Sequence, residues 1–123
     1  MGTQLMKPVF FVGTSREDLI DFPQDVKDVM GYALYEAQSG RKHRNAKPLK
    51  GFGSASTLEI VDDFDGDTYR AVYTVKFVDA IYVLHAFQKK SKKGIQTPAS
   101  DIELIKSRLK QAQDRHHKLL RGA

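Results

Sequence analysis

The 123-residue chain contains no cysteine. That excludes a disulfide framework and a thiolate zinc site, and it fits a reducing cytoplasm, where the protein is expected to act. Long apolar runs are missing as well. Nothing approaches the roughly 18 residues of a membrane-spanning helix, so no membrane partner is expected. Residues 1–14 hold a single positive charge and one short apolar run, Val9 to Val12, too little for the core of a signal peptide. Met6 stands where an N-myristoylation signal needs serine or threonine. There is no internal repeat and no low-complexity tract. His116 and His117 are adjacent rather than one helical turn apart, so they cannot share a face as metal ligands do. Neither a metal nor another cofactor is expected.

What remains is a soluble domain of ordinary composition, read as one unit over residues 1–123 with its core between about 7 and 110. Its charge is unevenly spread. Residues 1–40 carry a net −3, 41–56 carry +5, 57–87 carry −4 and 88–123 carry +7. The excess of cations therefore sits in two blocks that flank the middle of the chain. Brought together by the fold, they make one basic patch suited to a polyanion. Kept apart, they are a solvated loop and a solvated helix face.

The stretch between the blocks reads as three strands. In the second of them Tyr69, Ala71, Tyr73, Val75 and Phe77 alternate with Arg70, Val72, Thr74 and Lys76, the period of a strand with one face on a core. Ile81 to Phe87 is apolar almost throughout, as a strand covered on both sides would be. The Asp/Gly cluster at 62–67 and the tripeptide at 78–80 supply the turns. Upstream, residues 7–13 read as a first strand. Ser15 then caps a short helix over 16–22, and Pro23 opens a second helix. Val26, Val29, Met30, Ala33, Leu34 and Ala37 make its core-facing stripe, with Gly40 as its stop. Residues 41–53, dense in cations, glycine and proline, read as a loop. Thr97 and Pro98 open a basic third helix over about 98–120. One face of it carries Ile102, Ile105, Leu109 and Ala112, with Lys106, Arg108, Lys110 and Arg115 mostly elsewhere. The expectation is an α+β domain: a small antiparallel sheet in β-α-α-β-β-β-α order with helices packed against it.

Six pieces appear in order along this frame: the helical pair; Lys47-Pro48-Leu49-Lys50-Gly51; Leu58-Glu59-Ile60; Tyr69-Arg70-Ala71-Val72-Tyr73; Val83-Leu84-His85-Ala86-Phe87-Gln88-Lys89-Lys90; and Thr97-Pro98 with Asp101-Ile102-Glu103-Leu104. Together they resemble the phage-related, HigB-like branch of the RelE/ParE toxin superfamily, over roughly Val9 to Leu109. The chain departs from that pattern at Leu58 and Val61, where Trp-Glu-Leu-Arg is typical. The resemblance implies a RelE-like fold and the toxin of a type II toxin–antitoxin pair. It further implies cleavage of mRNA on the ribosome, and a helix-turn-helix antitoxin as cognate partner. Two other readings stay open: a ParE-like toxin that binds DNA gyrase, and a non-catalytic, phage-derived nucleic-acid-binding protein.

Cleavage of that kind is attack of a ribose 2′-OH on the adjacent phosphate. It needs a proton acceptor, a donor for the leaving oxygen and cations for the phosphorane. The catalytic candidates are Arg70, Glu59 and Lys90. Arg70 is able to grip a phosphate through two hydrogen bonds; its simpler use is a cross-strand salt bridge to Glu59. Glu59 either accepts a proton or orients Arg70. Lys89, Lys92 and Lys93 beside Lys90, with Lys50 and Arg44 from the basic loop, are candidates for RNA phosphates. Phe87 is a candidate for stacking on a base, with core packing as its simpler use. His85, set among apolar neighbours, reads as a hydrogen-bonded core histidine rather than an acid or base.

Overall fold

The computed structural model describes residues 6–90 and 97–122, excepting the side chain of Lys90. The elements are β1 (Val9–Phe11), α1 (Ser15–Ile20), α2 (Gln24–Gln38), β2 (Ala46–Pro48), β3 (Thr57–Phe64), β4 (Asp67–Thr74), β5 (Ile81–Lys90) and α3 (Ala99–Arg121). They build one five-stranded sheet in the order β1-β5-β4-β3-β2. The three expected strands form its antiparallel centre.

Two features correct the expected frame. First, the segment expected to be all loop contains β2, which pairs antiparallel with β3 and places Lys47 opposite Glu59. Three residues with a proline at the end carry no readable period, so only the edge of β3 reveals them. Second, β1 runs parallel to β5, with Val9 opposite Ile81, so the sheet is mixed rather than purely antiparallel. A crossover through α1, α2 and the meander separates these two strands, which permits that pairing.

Each face of the sheet carries a core. α2 covers one face, burying Val26, Met30, Ala33, Leu34 and Ala37 against Leu58, Ile60, Ala71, Tyr73 and Val83. Val29 stays half-buried. Fully burying each large aliphatic residue in such a stripe contributes about 1.5–3 kcal/mol. The helix ends as Gly40 promises. At φ 81° its N–H reaches the Ala37 carbonyl and that of Arg41 reaches Glu36, which satisfies carbonyls the helix leaves open. α3 covers the other face, where Ile105 and Ala112 join Val72, Tyr82 and Leu84. β4 is therefore buried on both sides, not on one as its alternation suggests.

The strand partners of β4 jump from His85 to Val83 between Val72 and Tyr73. Leu84 is the extra residue of a bulge in β5, and both Leu84 and His85 come to lie on the α3 side. Below them, Arg108 of α3 is buried rather than solvated. Its guanidinium donates to the Leu84 carbonyl and the Thr14 hydroxyl, each at 3.0 Å. Gly13 makes room for it: φ is +59°, and a Cβ there would stand 2.7 Å from Arg108 Nε. Gly13→Ala should therefore cost about 3 kcal/mol. A left-handed side chain costs roughly 1–2 kcal/mol, and displacing a charged donor costs about as much again. Urea denaturation of the variant checks this, and a loss under about 1 kcal/mol would contradict it.

The expected caps shift by a residue or more. Thr14, not Ser15, caps α1; its hydroxyl donates to the Asp18 carboxylate, while Ser15 begins the helix and donates to the Val83 carbonyl. At α3, Pro98 holds the cap position and the Thr97 hydroxyl turns to Glu59 instead.

Burial also sets the alkaline limit of the fold. It pushes the Tyr73 phenol up to about 12 and raises Tyr82 as well. A phenol whose folded pKa lies above its unfolded value stabilises the fold in full below the unfolded pKa, near 10. That contribution vanishes as pH climbs through 12. For Tyr73 it is on the order of 2–3 kcal/mol at most. Phenolate absorbance should then rise together with loss of the circular dichroism of the fold between about pH 10 and 12. Full ionisation of all tyrosines in a folded chain would contradict this burial.

Candidate functional site

The register of the sheet fixes which side chains meet on the α3 face. One cross-strand row runs Lys47, Glu59, Val72, His85; the next runs Val61, Arg70, Phe87; the third runs Asp63, Thr68, Lys89. Directly paired residues project to the same side. Arg70, Glu59, Phe87 and Lys89 are thus neighbours on one surface, close to the first turn of α3.

At the centre is a buried ion pair. Arg70 Nη1 donates to Glu59 Oε2 at 3.0 Å, and the Thr97 hydroxyl donates to the same oxygen at 2.7 Å. Glu59 is 3% exposed and Arg70 7%. The salt bridge weighed as the simpler use of Arg70 is the one formed, but it is buried, which gives it a different weight. An exposed pair contributes little. Removing one partner of a buried pair strands a charge without water.

Beside it, His85 Nε2 lies 2.7 Å from Asp101 Oδ1, and Nδ1 lies 3.5 Å from Arg108 Nη1. The ring stacks on Phe87, with centroids 4.6 Å apart and planes 20° apart. His85 is thus a buried, hydrogen-bonded histidine, as its neighbours suggested. With a guanidinium facing Nδ1, that nitrogen is the acceptor and Nε2–H donates to Asp101. Phe87 remains half-buried and packs against the α3-side core. Tyr73 is sealed on the α2 side, so it cannot stack on a base bound at this face.

The other candidates divide. Lys89 is half-buried in the third row, opposite Thr68. Lys90 closes β5 opposite Asp67. Lys92, Lys93 and the Lys90 side chain lie outside the described residues. Lys50 is exposed, next to Leu49, whose side chain enters the α3-side core. Arg44 does not join this face: it lines a groove with Asp28, Tyr32 and Asp62 along α2. The first basic block is therefore divided between the two faces by the edge strand rather than gathered into one patch.

Three participants escape the reading of the sequence as site residues: Thr97, Asp101 and Arg108. For Arg108 a signal existed. Ile105, Arg108, Ala112 and His116 follow i, i+3, i+7, i+11, and all four are buried. A polar residue inside an apolar stripe marks a buried group with a partner. The same logic finds His116 at the far end of α3. Its Nδ1 lies 3.0 Å from the Tyr82 hydroxyl and its Nε2 lies 2.8 Å from Asp79.

Among the described residues there is no cluster of three or more histidines and carboxylates that could hold a metal ion. Nor is any described helix long and apolar enough to cross a membrane.

No curated protein matches this chain. Among solved structures, the toxin–antitoxin complex RelBE2 from Mycobacterium tuberculosis is similar, at 21% identity and a TM-score of 0.48, over 69% of this chain and all of that one. The family described as phage-derived Gp49-like proteins matches residues 17–110, which is most of the chain and runs from within α1 into α3, and the protein belongs to that family.

Proposed function

We propose that this protein is the toxin of a type II toxin–antitoxin pair and that it cleaves mRNA on the ribosome. The single observation that carries the reading is the row geometry of the α3 face. It sets Arg70 and Glu59 side by side, with Phe87 and Lys89 next to them in register. A carboxylate acceptor beside a fork-shaped cation, flanked by an aromatic ring and an ammonium, is the equipment that in-line attack of a 2′-OH requires. The sequence resemblance to RelE-like toxins and membership of a phage-derived family support the same reading.

In this proposal Glu59 takes the 2′ proton, Arg70 orients Glu59 and meets the phosphorane, and Lys90 gives a proton to the 5′ oxygen as it leaves. Phe87 offers its open edge to a base. Lys89, with Lys92 and Lys93 after it in the sequence and Lys50 from the segment after β2, holds backbone phosphates. Arg44, on the other face, has no part in it. Because Arg70 is tied to Glu59 in the free protein, and the same Glu59 oxygen also accepts from Thr97, a phosphate must compete for the guanidinium as it arrives. The test is expression without the partner, followed by mapping of mRNA ends on translating ribosomes. Growth arrest with new 5′ ends inside reading frames supports the proposal; arrest with whole mRNA contradicts it.

One observation favours a second reading. Val61 pairs directly with Arg70, so the arginine typical of the resembled toxins would have stood as its cross-strand neighbour on this face. Without that charge, a toxin that binds DNA gyrase and leaves RNA intact fits equally well. Broken DNA in arrested cells identifies it.

The antitoxin of either toxin is expected to cover the cations of this face with an anionic or amphipathic segment, since an acidic strand or helix is favoured there. Hydrogen exchange of the complex should then show protection at β5 and the start of α3. Protection confined to the Asp18–Asp28 side would contradict this.

A further inference from the structure

A second cleft lies across the sheet from Arg70, where the end of α2 meets β3 and β4. It has a volume of about 380 Å³, and Lys7, Arg41 and Lys42 stand around it, with Tyr73, Leu58 and Val75 below. Tyr73 decides what the cleft is for. The residue is 1% exposed, and among the described residues its hydroxyl has no hydrogen-bond partner. Its oxygen is nevertheless not fully enclosed. The ring is therefore sealed in the α2-side core, and the trace of surface it keeps is the hydroxyl, at the floor of the cleft. A buried phenol ordinarily finds a partner within the protein.

Every polar side chain of this set is a donor. Lys42 gives one proton to the Ala46 carbonyl at 2.8 Å and keeps two. Arg41 is bridged to Glu36, which leaves part of its fork open. Lys7 forms no ion pair with the described residues. The phenol, pushed up to about 12 by burial, stays protonated and donating at every physiological pH. Among the described residues no carboxylate lines the cleft. Two ammonium groups, a guanidinium and a phenol converging on one small space repel any cation and leave an acceptor wanting. The apolar floor suits the body that carries it.

We propose that this cleft binds a small anion, a phosphate or carboxylate group on a compact apolar or planar body, with the Tyr73 hydroxyl and Lys42 as its direct donors. The sheet separates it from the Arg70 face, so it stands whether or not the chain cleaves RNA.

The full chain, labelled with ¹⁵N, is titrated with inorganic phosphate, with acetate and with a nucleoside 5′-monophosphate. At least one should give saturable amide shifts at Gly40, Lys42 and Val75. Phosphate and the nucleotide binding alike identifies the phosphoryl group as the whole ligand, tighter nucleotide binding adds the base, and acetate alone identifies a carboxylate. Tyr73→Phe keeps the ring and removes the donor, and should weaken binding about tenfold, the cost of one hydrogen bond to a charged group. Lys42→Ala, at an exposed site that leaves the core alone, should weaken it by a similar factor. The proposal is overturned if none of the three probes shifts those amides saturably, or if both variants bind as the wild type does.

Discussion

Glu59→Ala should cost the fold about 3–5 kcal/mol, a large share of the stability of a domain this size. The cause is not the lost attraction of the ion pair, since the desolvation of two charges offsets most of it. It is what the substitution leaves behind. Arg70 would stay 7% exposed with its principal anion gone, and the Thr97 hydroxyl would lose the acceptor it reaches at 2.7 Å. Glu59→Gln keeps an acceptor oxygen and should cost less. A double replacement by apolar residues of similar volume, Glu59→Leu with Arg70→Met, should recover much of the loss, because neither charge is then buried alone. Urea denaturation of the four proteins measures it. If Glu59→Ala unfolds at the wild-type midpoint, the pair is more solvated than its burial implies.

The second large effect concerns chemistry, and the burial of Arg70 dictates how to look for it. Arg70→Ala would confound a damaged fold with a damaged site. Arg70→Lys keeps the positive charge opposite Glu59 but loses the planar fork, so it preserves most of the fold and removes bidentate phosphate contact. Cleavage on translating ribosomes should fall by about 10²-fold, the scale of one removed donor to a developing charge, with little change in binding. Lys89→Ala should behave in the opposite way. It should weaken association and reduce its salt dependence by about one unit of slope, leaving the chemical step intact. Full cleavage by a folded Arg70→Lys protein would remove Arg70 from the reacting centre.

Much of this architecture is written in the sequence in plain periods. The stripe from Val26 to Ala37 places α2 within a residue or two, and the alternation around Tyr73 and the apolar run of β5 place the strands of the meander with ends up to three residues off, since β4 stops at Thr74 and β3 and β5 run on to Phe64 and Lys90. What stays hidden has physical reasons. β2 is three residues long and owes its existence to the edge of β3. The parallel pairing of β1 with β5 joins residues about seventy positions apart, beyond any local pattern. The bulge at Leu84 reverses the facing of the residues before it, so counting by twos from Val83 assigns His85 to the wrong side. Of the site, Arg70, Glu59, Phe87 and Lys89 were legible as types at strand positions. Their partners were not. Thr97 looks like a helix cap until Glu59 is placed near it, and Arg108 looks solvated until Gly13 and the Leu84 carbonyl are seen to receive it.

The central claim is that this face acts on RNA. The measurement that meets it most directly is cleavage by purified protein of a defined mRNA on stalled, translating ribosomes, with cut sites read by primer extension. The account predicts cuts within the codons presented by the ribosome, none on the same RNA without ribosomes, and loss of both cutting and growth arrest in Arg70→Lys. Whole mRNA beside undiminished growth arrest would contradict it.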